Sequence, residues 1–253
     1  MDPRAYVAAG AAEARRLAPI GAIESDFVLR AKRGFGVPPG AGTAFLVSPC
    51  YAVTNYHVVF GNHPLNLDPM ADYDVSVRFA LAAADAPLRV AGRVRHAGGL
   101  GGALPDLALV RLDDCPGRRL GWYELAAPRA DPRGPVDLAG YARDRGMRQL
   151  SRQRACRIVA AAGTATVGAG WLLHDCASRE GASGAPLLDP AAPGAPLVVA
   201  INAGELAPVR DILPGFTAAH ANIAIPSAAL SALPAMLAAI RRDRAGQTNP
   251  LAR

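Results

Sequence analysis

Apolar and polar side chains alternate with a period of two along part of the first half of the chain. The alternation is clearest over residues 74–81 and is repeated over residues 88–95. A period of two is typical of a strand with one face on the core and one face in solvent. Gly92 interrupts the second stretch at a point where a bulge or bend would fit. These patterns predict antiparallel β-structure.

Short apolar runs between turn residues predict most of the other strands. The predicted strands cover residues 27–29, 42–47, 51–54, 106–112, 136–141, 157–160, 170–174, 187–188, 197–201 and 221–225. Residues 157–160 and 170–174 are predicted to form a hairpin around residues 164–168. The Pro- and Gly-rich residues 126–135 are typical of a linker, which divides the strands into two groups.

The ends of the chain follow different patterns. Residues 1–24 are rich in alanine and could form a short helix, but no apolar stripe is sustained, so we favour an extension outside the core. Residues 227–242 carry leucine and isoleucine at steps of three and four, which predicts a C-terminal helix. Pro234 favours either two short helical pieces or a helix that begins there. Residues 243–253 are expected to form a loose tail.

The composition favours a packed β-protein with many turns. The chain has 253 residues, of which 51% are hydrophobic and 19% charged, so a sizeable core is expected. Glycine (26) and proline (22) are spread along the chain, which suits short strands better than long helices. The length allows two domains of ordinary size or one large β-structure.

The formal net charge of +6 is carried almost wholly by arginine. Arginine clusters at residues 143–148 and 152–157 allow a patch for nucleic acid or an anionic membrane. No aromatic residues alternate with these arginines, so we favour a solvated face and expect no nucleic-acid partner.

Four cysteines bear on metal binding and on compartment: Cys50, Cys115, Cys156 and Cys176. They form no C-x-x-C pair, and the histidines share no ligand spacing with them. We therefore expect neither a metal nor another cofactor. The even count permits two disulfides, as in a periplasmic or secreted protein. In contrast, residues 1–20 show no signal-peptide pattern, and no run of about 20 apolar residues is present to span a membrane.

Residues 181–186, Gly-Ala-Ser-Gly-Ala-Pro, contain the strongest candidate for a reactive group. A serine between two glycines is typical of a tight loop that exposes one hydroxyl. Such a loop can direct the amides of Gly181 and Ser183 toward one point, where an oxyanion would be stabilised. Turns of small residues are also common without catalysis, so this motif needs partners elsewhere.

Two upstream residues supply candidate partners. His57 follows a predicted buried strand, where it is either a core imidazole or a base at the edge of a cleft. Asp106 opens an apolar strand, where it is either a turn residue or a carboxylate available to an imidazole. A serine hydroxyl is a weak nucleophile unless a base takes its proton, which is why the three residue types belong together.

Three segments in order resemble the trypsin/chymotrypsin-like serine proteases. They are residues 54–59 (Thr-Asn-Tyr-His-Val-Val), 106–110 (Asp-Leu-Ala-Leu-Val) and 181–186. His-Asp-Cys at residues 174–176 looks closest to the bacterial glutamyl-endopeptidase-like branch. The resemblance implies an all-β fold of two six-stranded antiparallel barrels and a C-terminal helix. The first barrel would cover residues 25–125, and the second would cover residues 136–226.

The resemblance also implies a serine endopeptidase with a triad of His57, Asp106 and Ser183. His57 would accept the proton of the Ser183 hydroxyl, and Asp106 would orient the imidazole. The amides of Gly181 and Ser183 would form the oxyanion hole.

Further residues are expected at the substrate. Ala177 and Ser178 would line the primary pocket, which argues against a trypsin-like acidic base there. Asn202, Ala203 and Gly204 match the family's substrate-backbone strand. Asparagine stands where glutamyl-specific members tend to carry histidine, which weakens the prediction of cleavage after glutamate.

Two other functions fit the same residues: a protease-fold binding module that no longer cuts, and an esterase that uses the triad. A binding module has no need of all three triad residues, so we favour the endopeptidase. We expect a protein or peptide substrate and a monomer.

The implied fold yields two expectations beyond the site. Cys50–Cys115 and Cys156–Cys176 are the expected disulfides, across neighbouring strands of the first barrel and across the predicted hairpin. Ala182 stands where digestive relatives carry an aspartate that pairs with a newly formed amino terminus. Since a methyl group accepts no ion pair, we expect catalysis to need no new amino terminus. Folded versions that start at several positions between Ala12 and Asp26 should have equal turnover.

Overall fold

The structure is a computed structural model. It describes residues 2–8, 10–11, 13–25, 40–61, 74–81, 86–99, 104–127, 132–161, 170–205 and 221–252. The predicted strand at residues 27–29 and the predicted hairpin turn at residues 164–168 lie outside these ranges.

Fourteen strands are present in the described part of the chain. They are β1 (Ala5–Tyr6), β2 (Ile20–Ser25), β3 (Gly40–Leu46), β4 (Tyr51–Thr54), β5 (Asp74–Phe79), β6 (Leu88–Ala97), β7 (Ala108–Leu112), β8 (Glu124–Leu125), β9 (Gly134–Tyr141), β10 (Leu150–Ala161), β11 (Leu172–His174), β12 (Pro186–Leu188), β13 (Leu197–Glu205) and β14 (Asn222–Pro226). Most of the predicted strands therefore have a counterpart, with bounds that differ by a few residues.

These strands form two closed antiparallel barrels, as the resemblance implied. The first barrel has the order β2-β3-β4-β7-β6-β5. The second has the order β9-β10-β11-β14-β13-β12 and closes through the pairing of β12 with β9. The two short strands β1 and β8 add to the second sheet. The predicted fold class is confirmed.

Helices are short, and most lie between strands or at the C-terminus. They are α1 (Ala14–Leu17), α2 (Tyr56–Phe60), α3 (Gly117–Leu120) and α4 (Pro234–Arg244), with 3₁₀ turns at Arg143–Arg145, Ser227–Ala232 and Pro250–Ala252. Pro234 is in the first turn of α4, where its missing N–H costs nothing, and a 3₁₀ turn precedes it. Of the helices in the described ranges, none has the length and apolar character needed to cross a membrane.

Strand burial explains why the alternating pattern was informative. Along β5 the exposed or half-buried positions alternate with the buried Val75, Val77 and Phe79. A bulge or bend was predicted at Gly92, but the register of β6 shifts between Val94 and His96, so the bulge is not at Gly92. Gly92 marks a close approach, since a Cβ there would lie 2.6 Å from the Arg111 carbonyl oxygen.

Both ends of the chain depart from the expectations. Residues 20–25 form the first strand of the first barrel, and Ile20 and Ile23 are fully buried. Residues 5–6 pair with the second barrel, so residues 1–24 are not an extension outside the core. At the other end, Asn249 and Leu251 are buried against the chain near Trp122, so the predicted loose tail is also wrong. Neither end has a periodic apolar stripe, which is why pattern alone missed them.

The predicted disulfides are confirmed. The sulfur atoms of Cys50 and Cys115 are 1.96 Å apart, and those of Cys156 and Cys176 are 2.18 Å apart. The first joins the start of β4 to the segment after β7, which pair antiparallel. The second lies across the β10–β11 pair. Two disulfides are typical of proteins from an oxidising compartment.

Candidate active site

His57 and Asp106 meet because β4 and β7 are neighbours in the first barrel. Thr54, the last residue of β4, pairs with Ala108, the first residue of β7. His57 lies in the first turn of α2, just after β4, and Asp106 comes two residues before β7. The antiparallel pairing therefore brings two residues that are 49 positions apart into contact.

The imidazole and the carboxylate make a close two-point contact. His57 Nδ1 lies 2.6 Å from Asp106 Oδ2, and the His57 backbone amide donates to Asp106 Oδ1 at 2.9 Å. The Asp106 side chain is only 4% exposed, whereas that of His57 is 23% exposed. The Asn55 side chain donates to the Asp106 carbonyl at 2.9 Å and holds this backbone in place. With Asp106 as the carboxylate, Nδ1–H donates to it, and Nε2 keeps its lone pair for a proton.

The serine loop has a backbone that only glycine adopts easily. Gly181 has φ +97° and Gly184 has φ +85°. At Gly184 a Cβ would also lie 2.0 Å from the Thr43 carbonyl oxygen, so the loop touches β3 of the other barrel. Ser183 is half-buried between them.

Thr43 connects the first barrel to this loop and was not singled out from the sequence. Its amide donates to the Ser183 carbonyl at 2.8 Å, and its hydroxyl donates to the Gly181 carbonyl at 3.1 Å. The hydroxyl also accepts from the Tyr141 amide of β9 at 3.0 Å. The neighbouring Gly42 was the available signal, because glycine within a strand often marks a close approach.

Gly42 also shows how near the two halves of the site are. A Cβ at Gly42 would lie 2.7 Å from the Val58 side chain and 2.9 Å from the Ser183 carbonyl oxygen. Val58 is the residue after His57 on α2. The structure thus brings the histidine helix and the serine loop to the same glycine.

The serine loop contains the two backbone amides that were predicted to form an oxyanion hole. In the described part of the chain, the amides of Gly181 and Ser183 have no hydrogen-bond acceptor. Their neighbours are satisfied: Ala182 donates to the Arg179 carbonyl at 2.9 Å and Gly184 to the Asn202 carbonyl at 2.8 Å. Free donors on alternate residues are what an oxyanion hole requires.

Asn202 is the centre of a buried polar chain beneath the loop. Its side-chain nitrogen donates to Ser178 Oγ at 3.2 Å and to the Ala182 carbonyl at 2.9 Å. Its side-chain oxygen lies 3.0 Å from His174 Nε2, which therefore acts as the donor. Burial lowers the pKa of His174 to about 4, so the imidazole is neutral at neutral pH. The sequence identified Asn202 and Ser178 but gave His174 no role.

The remaining predicted substrate residues lie around this chain. Ala177 is half-buried, and its amide donates to the Gln153 side chain at 2.5 Å. The register of β13 against β14 shifts between Asn202 and Gly204, which places Ala203 in a bulge. Bulges redirect backbone groups and often lie beside active sites. The contacts in the described residues join Ser178 to Asn202 directly and do not join Ala177 to Ala203 or Gly204.

One group of potential metal ligands exists among the described residues: Cys156, Asp175 and Cys176. Both sulfurs are used in the disulfide, so neither is a thiolate that could bind a metal.

Two closed barrels with a histidine–aspartate pair at their junction define the class of the trypsin-like peptidases. Residues 42–197 match the family model of the trypsin-like peptidase domain, and the chain belongs to this family. No curated protein sequence matches the chain.

Two solved structures are similar to the chain. The Rv3671c protease from M. tuberculosis in its active form shows 21% identity and a TM-score of 0.56, over 94% of this chain and 85% of that chain. An inactive form of Rv3671c from M. tuberculosis H37Rv, a serine-to-alanine mutant, shows 18% identity and a TM-score of 0.53, over 90% of each chain. At these identities the likeness supports the fold. The family supports a peptidase that acts on protein substrates.

Proposed function

We propose that the chain is a serine endopeptidase with His57, Asp106 and Ser183 as its triad. The observation that carries the proposal is the two-point His57–Asp106 contact beside a loop with two free amides. In this mechanism Ser183 Oγ attacks the peptide carbonyl carbon while its proton passes to His57 Nε2. The amides of Gly181 and Ser183 stabilise the oxyanion.

The second half of the reaction uses the same groups. His57 gives its proton to the leaving amine as the C–N bond breaks, and an acyl-enzyme remains on Ser183. Water then attacks the acyl carbon, His57 takes its proton, and Ser183 leaves as the protonated hydroxyl. Asp106 keeps Nδ1 as a donor throughout and stabilises the imidazolium that forms twice.

The pocket residues favour an uncharged side chain at the cleaved position. Cleavage after glutamate, as in the glutamyl-endopeptidase branch, calls for a cation or several donors in the primary pocket. Ala177 and Ser178 carry no charge, and the Asn202 amide is already committed to Ser178, Ala182 and His174. His174 is neutral at neutral pH because of its burial. We therefore propose a preference for neutral residues.

A fluorophosphonate probe and a peptide library test this function. Ser183→Ala should abolish labelling and lower turnover on the order of 10⁵- to 10⁶-fold, and His57→Ala should be nearly as damaging because triad members act as a unit. Ser227→Ala is the matched control: it removes a buried serine hydroxyl that donates to the Ala126 carbonyl outside the site, and it should keep labelling.

Three outcomes would contradict parts of the proposal. Labelling of Ser183→Ala at the wild-type rate would reject Ser183 as the nucleophile. No labelling of the wild type would favour a binding module, and labelling without peptide cleavage would favour an esterase. Cleavage mainly after acidic residues would reject the neutral pocket.

A further inference from the structure

The segment that precedes the first barrel is attached to the second barrel. We call residues 2–8 the N-terminal arm. Within it, Ala5 and Tyr6 pair with Arg152 and Ser151 of β10, and the Val7 amide donates to the Leu150 carbonyl at 2.9 Å. The arm therefore becomes an added strand on the barrel that carries Ser183.

Arg4 is the most deeply placed charge of the arm. Its side chain is 4% exposed, although arginine is normally a surface residue. It pairs with Asp144 at 2.5 Å and with Asp2 at 2.6 Å. It also lines a small cavity whose other walls include Ala142, Ala177 and Ala182. The guanidinium thus shares this cavity with Ala182 of the serine loop.

Asp144 belongs to a turn that packs on the serine loop. We call residues 142–148 the Met147 turn. A Cβ at Gly181 would lie 2.5 Å from Met147 Sδ and 3.2 Å from the Arg143 amide nitrogen. The Arg143 amide donates to the Glu180 carbonyl at 2.8 Å. The position of the Gly181 backbone, and with it one of the two free amides, therefore depends on where this turn lies.

The arm holds the Met147 turn at two points. Besides the Arg4–Asp144 ion pair, the Arg145 guanidinium lies 4.4 Å from the ring centroid of Tyr6, a cation–π distance. On its other side the turn receives hydrogen bonds from Arg78 of the first barrel, at the carbonyls of Met147 and Arg148. Without the arm, the turn would keep the Arg78 hydrogen bonds and its contacts with Glu180 and Gly181, but it would lose both contacts on the arm's side.

We propose that the N-terminal arm positions the oxyanion hole and that Arg4 is its positioning residue. Through Asp144, Arg4 holds the Met147 turn against Gly181, so the Gly181 amide faces the point where the oxyanion forms. Arg4 touches neither substrate nor Ser183. The inference deepens the proposed endopeptidase function and rests on it for the effect on turnover. It replaces the expectation that folded versions starting between Ala12 and Asp26 have the turnover of the full chain.

The test compares Arg4→Ala with two matched controls. Asp2→Ala removes the other ion pair of Arg4 without touching the Met147 turn. Arg154→Ala removes an exposed arginine from β10, the strand that the arm joins. Since losing one oxyanion donor costs about 10²- to 10³-fold, displacing one should lower kcat about tenfold in Arg4→Ala. KM for a peptide ester should change by less than about twofold, because the pocket residues are retained. Both controls should keep the wild-type kcat.

A second measurement does not depend on catalysis. Hydrogen exchange of residues 178–186 is followed in the Ser183→Ala background, which does not digest itself. Adding Arg4→Ala should speed exchange there and in residues 142–148, and adding Asp2→Ala should not. Asp144→Ala should reproduce the effect of Arg4→Ala, and the double variant should be no worse than either single one.

The outcomes separate the two proposals. Unchanged exchange and unchanged kcat in Arg4→Ala would overturn the positioning role. Faster exchange in a protein whose wild type neither labels nor cleaves would keep the positioning role and reject the endopeptidase. If Arg4→Ala fails to fold, Asp144→Asn keeps a side chain of the same shape and decides the question by the same two readouts.

Discussion

Each end of the chain is bonded to the barrel that lies farther from it in sequence. The N-terminal arm precedes the first barrel and pairs with β10 of the second. Helix α4 follows the second barrel, and its last turn is bonded to the first barrel through Asp243 and Arg244. Both ends use buried or half-buried arginine as the anchor.

The two anchors differ in what they hold. Arg244 donates to the carbonyls of Val47 and Tyr123 at 2.5 and 2.7 Å and pairs with Glu124 at 2.6 Å. Val47 directly follows β3 of the first barrel, and Tyr123 and Glu124 lie on the connection between the barrels. None of them is part of the serine loop. Arg4 holds a turn that touches the serine loop. A buried or half-buried arginine should therefore contribute mainly to stability at the C-terminal end and to turnover at the N-terminal end.

The largest expected effect is on stability at the C-terminal anchor. Arg244→Ala leaves two carbonyls of fully buried residues without a donor, so the free energy of unfolding should fall by about 2–4 kcal/mol. The folded fraction should keep the wild-type kcat. Thermal or urea unfolding gives the first quantity and active-site titration the second. A tenfold loss of kcat in Arg244→Ala would show that the C-terminal arginine also affects turnover, and the proposed difference between the two ends would be wrong.

An effect that approaches the same size only at low pH should come from protonation of His174 inside the second barrel, away from both ends. The folded protein keeps His174 neutral until its pKa of about 4, whereas the unfolded chain takes up a proton near 6.5. The unfolded state then binds more protons, so stability should fall as the pH drops from 6.5 to 4. The loss attributable to His174 approaches about 3 kcal/mol at the lower limit.

His174→Gln supplies the comparison for this acid effect. Glutamine can still donate to the Asn202 side-chain oxygen but does not titrate. Urea unfolding at several pH values should show a shallower fall of stability for His174→Gln than for the wild type. Parallel curves would mean that the acid sensitivity lies elsewhere.

The smallest effect is expected at Glu13, which lies between the N-terminal arm and the first barrel. Glu13 pairs with Arg152 and Arg154, but Arg152 also pairs with the buried Asp137. Glu13→Gln should therefore cost only about 0.5–1 kcal/mol of stability. Because Arg4 still holds the Met147 turn, kcat should stay within about twofold of wild type. A loss of kcat in Glu13→Gln as large as that in Arg4→Ala would mean that residues beyond Arg4 also position the oxyanion hole.

Pattern alone predicted most of the strands, because alternation and short apolar runs are local in sequence, whereas the two barrels and the candidate triad were implied by the resemblance of three motifs to the trypsin-like proteases. Alternation along β5 reports which face is buried, and a serine flanked by glycines reports a special backbone. The disulfide pairs followed from strand neighbours implied by the family. The roles of His57, Asp106 and Ser183 stay predictions until the probe experiment, although the first two lie in contact.

The missed features depend on single residues that are far apart in sequence. Arg4 and Asp144 are separated by 140 positions, and neither stands in a motif. Thr43 reaches Gly181 over 138 positions with one hydroxyl. The role of His174 depends on its contact with Asn202, which is 28 positions away in sequence. Periodicity records which face of a strand is buried, but it does not record which polar group will meet which.

The pairing of the N-terminal arm with the second barrel also determines when the arm can fold during synthesis. Residues 2–8 leave the ribosome before any other described part of the chain, yet their partners on the Met147 turn and β10 emerge more than 130 residues later. Domains generally fold as they emerge, so the first barrel can form with His57 and Asp106 already paired. At that time there is no Ser183 and no strand for the arm to join. A peptidase built in this way would have no assembled site until the second barrel has emerged.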